Sequence, residues 1–445
     1  MNRFLYTLVI RLLTPGLLIW MALRARRAGG DWGVCSGERF AWYGRAAPNL
    51  GGSDAGALIW IHAVSLGETR AAQPLVRALL DKGHRILFTH MTVTGRDEGQ
   101  RAFGAEIAQG RVAQAWLPYD FPGAVRRFLA YYQPRAGVLI EREIWPNLVH
   151  AAYCAQIPLV LASARMSDAA LRQSLRSGSV MREAYGRFSG VYAQSLQDAQ
   201  RLEQAGAAAV RVSGNFKFDI HLDAEKVARG SAFAARLGRK VIAIASTREG
   251  EDALFIAALQ HQISRARAQG NELVEHVLFY LIPRHPVRFD EAAAQLDAAG
   301  LAYVRRTHLL ALGDDSSTAL HACQDVCVLL GDTLGEMPWY YAGSQIAIVG
   351  GSFEPLGGQN FIEASALGVP VLVGMHTQHF EQAVFDASQA GAIERVASPH
   401  EAVQRALQWL DDPSHRTRMG AAGEYWVQQH MGAVERVVDG LEGLL

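Results

Sequence analysis

The 445-residue chain has few cysteines and no net charge. Its four cysteines show no spacing that is typical of a metal site, and they are best explained as small apolar side chains in a reducing compartment. The 43 basic and 43 acidic residues cancel, whereas a nucleic-acid-binding protein normally has a basic excess. Low-complexity segments and short sequence repeats are also missing. We therefore expect neither a nucleic-acid partner nor a bound metal.

The first apolar segment is about long enough to reach across a membrane. Phe4 to Leu23 matches a hydrocarbon core of roughly 30 Å. Arg11 and the Pro15-Gly16 pair weaken a straight spanning helix and leave an interfacial or kinked anchor open. Three arginines follow between positions 24 and 27, without a small-residue cleavage site. Because positive charge there keeps the next domain in the cytoplasm, we expect residues 1–28 to be a membrane anchor, with a buried soluble helix as the alternative.

The rest of the chain alternates apolar strands with helical patterns, which predicts an α/β fold with parallel, doubly wound sheets. The segment SGNFKFDI at 213–220 marks a boundary. We expect one Rossmann-like domain at 29–218 and a second at 219–445, whose helical segment 401–445 could pack back on the first. The predicted strands are Leu58–Ile61, Ile86–Phe88, Gly137–Ile140, Leu159–Leu161, Gly190–Tyr192, Val210–Val212, Val241–Ala245, Val277–Ile282, Val326–Leu329, Ile346–Val349 and Val369–Val373.

The joint after the first predicted strand carries an acidic residue. The strand breaks at a turn that contains Ser65 and Gly67, and Glu68 follows in the first turn of a helix. In open α/β sheets, ligands bind at the carboxyl ends of such strands. Glu68 is therefore either a partner of the helix dipole or a catalytic base.

Other strand ends of the first domain also carry charged side chains. Glu141 and Glu143 follow a strand, and two acids there are costly to bury without partners, which favours a role in a cleft. Arg165, after the next strand, either binds an anionic substrate or pairs with one of the two glutamates. Lys217 lies at the domain junction. Together with Ser65 and Gly67, these residues are the predicted acceptor-binding or supporting set.

The loops of the second domain have compositions that suit a phosphate. Ser246 or Thr247 either caps the next helix or holds a phosphate at its N-terminus. Arg284 can grip a phosphate with its guanidinium fork or form an ordinary salt bridge. His285 beside it is more often structural in such a setting.

The segment 346–374 has two glycine-rich turns in sequence. Gly350 and Gly351 let the backbone approach a ligand. Asn360 is the predicted N-cap of a helix and Glu363 lies three residues on, as in a capping box, although Glu363 could instead bind ribose hydroxyls. Two such turns indicate a sugar-nucleotide site that is neither a dinucleotide fingerprint nor a P-loop. The predicted donor-binding set also includes Gly335, Glu336 and Ser352, with Glu336 equally explained as a helix-end residue.

Eight motifs occur along the chain in a distinctive order: HAVSLGE, LIEREIWPN, SARMS, GNFKFD, IASTREGE, IPRHPVRF, GDTLGEM and GGSFEPLGGQNFIEA. As a set they resemble the 3-deoxy-D-manno-oct-2-ulosonic acid (Kdo) transferases of lipid A synthesis, and the similarity covers nearly the whole chain. The resemblance implies a GT-B fold of two facing Rossmann-like domains and an inverting glycosyltransferase without metal or cofactor. The implied reaction moves Kdo from CMP-Kdo to the lipid A precursor, a tetraacyl disaccharide 1,4'-bisphosphate, at the cytoplasmic face of the inner membrane.

The resemblance also assigns roles to single residues. The glutamate of SLGE, which is the family's general base, falls on Glu68. Arg142, Arg248 and Gln359 depart from the residues that close relatives often carry, which are threonine at the first position and histidine at the other two. The family's donor-nucleotide contacts fall on Ser246, Arg284, Gly351, Asn360 and Glu363.

Two other functional classes fit parts of the pattern. A sugar-nucleotide epimerase shares the two-domain architecture but needs no lipid acceptor. The apolar N-terminus favours an enzyme that does use a lipid acceptor. A non-catalytic sugar-binding protein of two α/β lobes would more often carry a cleavable export signal. The arginine cluster after the apolar segment argues against that class.

Overall fold

The computed structural model describes residues 1–27, 32–44, 56–220, 222–269, 276–313 and 316–445. Two compact units divide the chain, and each is built around one sheet of seven parallel strands. The first unit contains Met1–Ile220 and His430–Leu445, and the second contains His221–Gln429. The expected boundary between residues 28 and 29 falls on residues outside the described ranges.

The first unit alternates strands and helices along most of its length. Its strands are β1 Leu58–His62, β2 Arg85–His90, β3 Val112–Trp116, β4 Ala136–Ile140, β5 Leu159–Ala164, β6 Gly190–Ala193 and β7 Val210–Val212. Its helices are α1 Arg3–Arg27, α2 Leu66–Asp81, α3 Val93–Ala108, α4 Pro122–Tyr132, α5 Pro146–Cys154, α6 Asp168–Arg176, α7 Ser179–Tyr185 and α8 Leu196–Ala205, with 3₁₀ turns at Gly37–Phe40 and Phe216–Phe218.

The second unit repeats this alternation. Its strands are β8 Lys240–Thr247, β9 Val277–Pro283, β10 Tyr303–Arg305, β11 Val328–Leu330, β12 Ile346–Val349, β13 Val371–Val373 and β14 Ile393–Arg395. Its helices are α9 Ala224–Leu237, α10 Glu251–Gln269, α11 Phe289–Ala298, α12 Arg306–Leu312, α13 Ser317–Ala322, α14 Met337–Ala342, α15 Ile362–Ala366, α16 Glu381–Gln389, α17 Pro399–Leu410 and α18 Pro413–His430, with a 3₁₀ turn at Pro286–Arg288. The final helix, α19 Ala433–Glu442, packs on α2 in the first unit.

Each sheet is covered by helices on both faces, which explains the apolar runs in the sequence. In β1, Trp60 packs into one core with Phe128 of α4, while Ile59 and Ile61 face a second core that contains Leu75 of α2. Successive side chains of a strand point to opposite faces, so a strand between two helical layers is apolar at every position. The predicted α/β class with parallel sheets is confirmed.

Three strands were not predicted, and all three lie at a sheet edge. The strand orders are β3-β2-β1-β4-β5-β6-β7 and β10-β11-β9-β8-β12-β13-β14. The missed strands β3, β10 and β14 each end one of these orders. They contain partly exposed positions, unlike the fully buried β1 and β4, so their sequences lack a continuous apolar run.

The N-terminal apolar segment forms one helix, α1. It continues through Pro15 to Arg27, which is further than the apolar run predicts. By length and composition it could cross a membrane, and no part of its most apolar stretch is buried.

Candidate functional site

The order of the first sheet changes direction beside β1. Strands β2 and β3 extend from one side of β1, and β4 to β7 extend from the other. The loops that follow β1 and β4 therefore diverge, and such a switch point is where doubly wound sheets bind ligands. Ser65, Gly67 and Glu68 follow β1, and Glu141 and Glu143 follow β4.

Glu68 occupies the third position of α2. Its Oε2 accepts a hydrogen bond from the backbone N–H of Val64 at 2.5 Å, so it does stabilise the start of the helix. Burial, the negative charge of Glu143 and, to a lesser degree, that of Glu141 raise the pKa of Glu68 to about 7, although the Val64 hydrogen bond opposes this. A carboxyl group with this pKa can accept a proton near neutral pH.

Glu141 and Arg165 form an ion pair. The guanidinium Nε of Arg165 donates to Oε2 of Glu141 at 2.7 Å, and the glutamate is 7% exposed. The salt bridge that the sequence left as one alternative for Arg165 is therefore present. Burial lowers the pKa of Lys217, while the charge of Glu141 raises it and that of Arg165 lowers it, which brings Lys217 into the same group.

Glu143 faces a histidine that the sequence did not single out. The Nε2 of His62 lies 3.8 Å from Oε2 of Glu143, which also accepts a hydrogen bond from the indole N–H of Trp145. The other ring nitrogen of His62 lies 3.1 Å from the carbonyl oxygen of Thr89, which can only accept, so we assign the proton to Nδ1. A second proton at Nε2 would face the Glu143 carboxylate. His62 was missed because it is the last residue of a buried strand.

Backbone strain occurs at or just after the ends of three strands, β4 and β5 in the first unit and β8 in the second. Glu141, Ser163 and Ser246 have φ values of 60°, 49° and 58°, which are uncommon for residues other than glycine. Ser163 and Ser246 lie where the pairing of β5 with β6 and of β8 with β9 shifts in register. Such bulges turn side chains out of the regular pleat and occur next to active sites. The amino-acid sequence gave no signal for these conformations.

In the second unit, a buried glutamate organises the loop after β12. Oε2 of Glu251 accepts hydrogen bonds from the N–H groups of Gly351 at 2.6 Å and Arg248 at 2.8 Å, and Oε1 accepts from Phe353 at 2.9 Å. A Cβ on Gly350 would lie 2.8 Å from this carboxylate. Gly350 thus permits close packing on Glu251, whereas a Cβ on Gly351 would meet the Gln359 side chain at 2.9 Å; both reasons differ from the predicted approach of a ligand. Glu251 is also the first residue of α10.

The predicted donor-binding residues fall into two groups. Arg284 and Asn360 lie at loop positions, with Nε of Arg284 donating to Gln359 at 3.3 Å and Nδ2 of Asn360 donating to Glu363 at 3.0 Å. Burial, followed by the positive charges of Arg248 and Arg284, lowers the pKa of His285. These charges suit an anionic ligand.

The other group is held by internal bonds. Glu336 accepts two hydrogen bonds from the buried guanidinium of Arg306, at 2.9 and 3.1 Å, which supports its interpretation as a helix-end residue. The hydroxyl of Ser352 donates to the carbonyl of Val349 and accepts from Gly374 N–H. Gly335 has a φ of 77°, which accounts for a glycine there.

Two predicted caps are wrong. Helix α10 begins at Glu251, several residues beyond Ser246 and Thr247, because those residues still belong to β8. The N-cap of α15 is Phe361, although the side chain of Asn360 does accept a hydrogen bond from Ile362 N–H at 3.1 Å.

Two further observations concern possible ligand sites. Within the described ranges, no group of three or more His, Cys, Asp or Glu side chains is placed to hold a metal ion. A cavity of about 330 Å³ in the second unit is lined by Gln345 and Pro370, which precede β12 and β13, and by Arg416. It lies at the amino ends of these strands and includes none of the predicted site residues.

Sequence comparison places the chain among known enzymes. Residues 36–220 match the family model of the 3-deoxy-D-manno-octulosonic-acid transferases. The chain is 51% identical to a 3-deoxy-D-manno-octulosonic acid transferase of Bordetella pertussis, over the full length of both. It is 30% identical to the Haemophilus influenzae enzyme of the same name, over 100% of this chain and 99% of that protein.

Solved structures with low identity share the fold. A glycosyltransferase from Rickettsia africae matches with a TM-score of 0.53 and 11% identity, over 88% of this chain and 99% of that one. A UDP-GlcNAc 2-epimerase from Neisseria meningitidis matches with a TM-score of 0.52 and 13% identity, over 87% and 100%. These likenesses support a GT-B-like fold and carry no information on substrate.

Proposed function

The chain belongs to the Kdo transferase family, and we propose that it transfers Kdo from CMP-Kdo to the lipid A precursor by an inverting single displacement, with Glu68 as general base. The acceptor is the tetraacyl disaccharide 1,4'-bisphosphate. The proposed transfer takes place at the cytoplasmic face of the inner membrane. The observation that carries the proposal is the Glu68 carboxyl group at the end of β1, whose pKa is raised to about 7.

The base removes the proton of the acceptor hydroxyl as the new bond forms. The hydroxyl oxygen attacks the anomeric carbon of Kdo, the bond from that carbon to the phosphate oxygen breaks, and CMP departs with the bonding electrons. The proton passes to Glu68. An ordinary surface glutamate is too weak a base for this step, and the pKa of Glu68 is raised by burial and by the charge of Glu143.

Each unit also has cationic groups that can stabilise the negative charges of the substrates. In the first unit, Arg165 and Lys217 lie with Glu141 beside the base and suit the carboxylate of Kdo or the phosphates of the acceptor. In the second unit, Arg284 and His285, with Thr247, Ser246 and the loop of Gly350 and Gly351, form the proposed donor-binding set. Asn360 and Glu363 complete it.

Departure of CMP needs its phosphate charge to be stabilised. Arg284 can do this directly because its guanidinium presents several donors in one plane. The N–H groups of Gly351 and Phe353 already donate to Glu251, so this network contributes by keeping the loop rigid during the reaction. Under this proposal no metal is required.

The test is incubation of purified full-length protein with CMP-Kdo and the tetraacylated acceptor, with products identified by mass spectrometry. We expect an acceptor that has gained one or more Kdo residues, together with released CMP. Glu68→Ala should abolish transfer and still bind CMP-Kdo in calorimetry, since the base lies in the first unit.

Two results would contradict the proposal. Full turnover by Glu68→Ala would remove Glu68 from the role of base. Interconversion of a sugar nucleotide without consumption of the lipid acceptor would instead favour the epimerase chemistry that shares the fold.

A further inference from the structure

Helix α1 lies along the first unit with one face turned to the protein. Its less exposed positions recur every three or four residues from the first turn to the last, which places them on one stripe. They are Arg3, Tyr6, Thr7, Ile10, Thr14, Leu18, Met21, Ala22 and Ala25. Ala25 in the last turn is only 2% exposed. This side is therefore partly covered along the length of the helix, and fully covered at Ala25.

Specific polar contacts fasten the beginning of the helix. The backbone N–H of Val180, in α7, donates to the carbonyl oxygen of Met1 at 3.1 Å. The hydroxyl of Tyr6 donates to Oδ2 of Asp120 at 3.0 Å, and that of Thr7 donates to Oδ1 of Asn147 at 3.1 Å. The Asp120 side chain is almost fully buried, and Tyr6 supplies one of its hydrogen bonds.

These contacts join α1 to α5, the helix that follows the loop of Glu141 and Glu143. Asp120 also accepts hydrogen bonds from the backbone N–H groups of Asn147 and Leu148, which are the second and third residues of α5. Helix α5 begins directly after the loop that carries Glu141 and Glu143. The same carboxylate thus holds both the start of α1 and the start of α5.

The opposite face of α1 is apolar and exposed. Leu12 is 72% exposed, and Leu5 and Ile19, each about two turns away on the same stripe, are 46% and 63% exposed. Other large apolar side chains on this face are Phe4, Leu8, Leu13, Leu17, Trp20 and Leu23. A continuous apolar face of this size is unfavourable in water and marks a surface for lipid or protein.

The geometry points to an anchor that lies in the plane of the membrane surface. We infer that α1 is a monotopic anchor, with its exposed face in the lipid of the cytoplasmic leaflet and its other face on the first unit. A spanning helix has its ends on opposite sides of a hydrocarbon core of roughly 30 Å. Near its start α1 bonds to Val180 and Asp120, and near its end the guanidinium of Arg24 lies over the Trp32 ring at 5.9 Å, all within the first unit. A spanning orientation would therefore require the unit to enter the bilayer or to release the helix.

Charge also favours this orientation. Arg11 is exposed and lies within the apolar segment, where a spanning helix would carry it into the hydrocarbon. In the plane of the surface its guanidinium can reach the headgroups. Arg24, Arg26 and Arg27 at the end of the helix suit anionic phospholipids. The inference rests on the proposed function only for the side of the membrane on which the protein lies.

Depth measurements on the full chain test this inference. Cys35 and Cys154, which are exposed, are first replaced by serine. Single variants Leu5→Cys, Leu12→Cys and Ile19→Cys then carry a fluorophore in vesicles of phosphatidylethanolamine and phosphatidylglycerol. Quenching by lipids with spin labels at different depths measures the position of each fluorophore. Thr14→Cys, on the covered face, is the matched control.

An in-plane anchor places all three fluorophores at one shallow depth and leaves Thr14→Cys weakly quenched. A spanning helix places Leu12→Cys about 10 Å deeper than its neighbours seven residues away, since the rise is about 1.5 Å per residue. That pattern, or the absence of quenching at all three positions, would overturn the inference. The quenching measurement does not depend on Kdo transfer by the protein. A sample with the in-plane pattern but without Kdo transfer would therefore reject the proposed function alone.

Discussion

Glu68 in the first unit and Glu401 in the second occupy the same position at the start of a helix. Each is the third residue of its helix, and each accepts a hydrogen bond from the backbone N–H two residues before the helix begins, at 2.5 Å from Val64 and 2.8 Å from Ala397. Their surroundings differ. Glu68 lies near two further carboxylates, which help to raise its pKa to about 7. The helix start explains why a glutamate is present, and the neighbouring strand end explains why it can act as a base.

A second contrast concerns buried carboxylates. Glu141 in the first unit pairs with a half-exposed arginine, Arg165, in a group that also includes Lys217. Glu251 in the second unit is fully buried and holds three backbone N–H groups. The first arrangement keeps charged groups at the surface of the sheet end, where a substrate can meet them. The second builds a rigid loop and presents no carboxylate to a ligand.

The largest effect should come from the matched pair of helix-start glutamates. Glu68→Gln keeps an oxygen for Val64 N–H but removes the base, so we expect transfer to fall by about 10²- to 10⁴-fold. Glu401→Gln makes the same change at an equivalent helix start and should leave kcat within about twofold. Initial rates of CMP release measure both. Equal losses in the two variants would reduce Glu68 to a helix cap.

The next effect concerns the loop that Glu251 holds. Glu251→Gln replaces one of the two acceptor oxygens by a donor that faces backbone N–H groups, so we expect a loss of about 2–3 kcal/mol in the free energy of unfolding. We also expect at least a tenfold weaker binding of CMP because Gly351 and Phe353 lose their support. Denaturant unfolding and calorimetry measure the two quantities.

Glu249→Gln is the control for this change, since Glu249 is an exposed neighbour that pairs with Arg248. It should alter the free energy of unfolding by less than about 0.5 kcal/mol. Tight CMP binding by a folded Glu251→Gln protein would show that the loop does not contact the donor.

A third effect is a pH-dependent gain in stability for Glu68→Gln. The pKa of Glu68 is about 7 in the folded state and near 4.5 in the unfolded chain, so the folded protein holds the extra proton between these values. Wild-type stability therefore falls as pH rises from about 4.5 to 7, whereas the glutamine variant does not titrate there. We expect the variant to gain about 2 kcal/mol relative to wild type between pH 5 and pH 8, after allowance for partial exposure.

Thermal or denaturant unfolding at these two pH values checks the prediction. The initial-rate profile of the wild type should show the matching rise in kcat/KM with a midpoint near pH 7. A variant that is no more stable at pH 8 than at pH 5, relative to wild type, would contradict the raised pKa.

The smallest effects should come from the two strained serines. Ser246→Gly relieves a φ of 58° and should raise the free energy of unfolding by up to about 1 kcal/mol. Ser163→Gly relieves a φ of 49° but loses the hydrogen bond from Gln194 to its hydroxyl, so we expect little net change. CMP binding should weaken only for Ser246→Gly. Weaker CMP binding in both variants would show that the loss at Ser246 does not come from the proposed contact with the donor.

The central strands were predictable, and of the four edge strands only β7 was predicted. Strands β1, β4 and β8 are nearly fully buried, so their apolar runs stand out in the sequence. Strands β3 and β14 lie at sheet edges with partly exposed residues, and a run of mixed polarity does not distinguish strand from loop. The cap predicted at Ser246 or Thr247 failed for a related reason. A serine before a helix signals a cap only if the strand has already ended, and β8 continues through Ser246 to Thr247.

The sequence by itself determined the two α/β halves, the apolar N-terminal helix and the charged residues at the strand ends, because burial and turn chemistry act over a few neighbouring residues. It also carried the motifs that indicate the family. Only the tertiary structure decided which charged residues lie close together: Glu68 with Glu143, and Glu143 with His62. It also brought Glu251 to the glycine loop, which lies a hundred residues away in the sequence. It likewise laid α1 along the first unit. A pKa and a contact depend on distance and burial, and those follow from how the strands are ordered in the sheet.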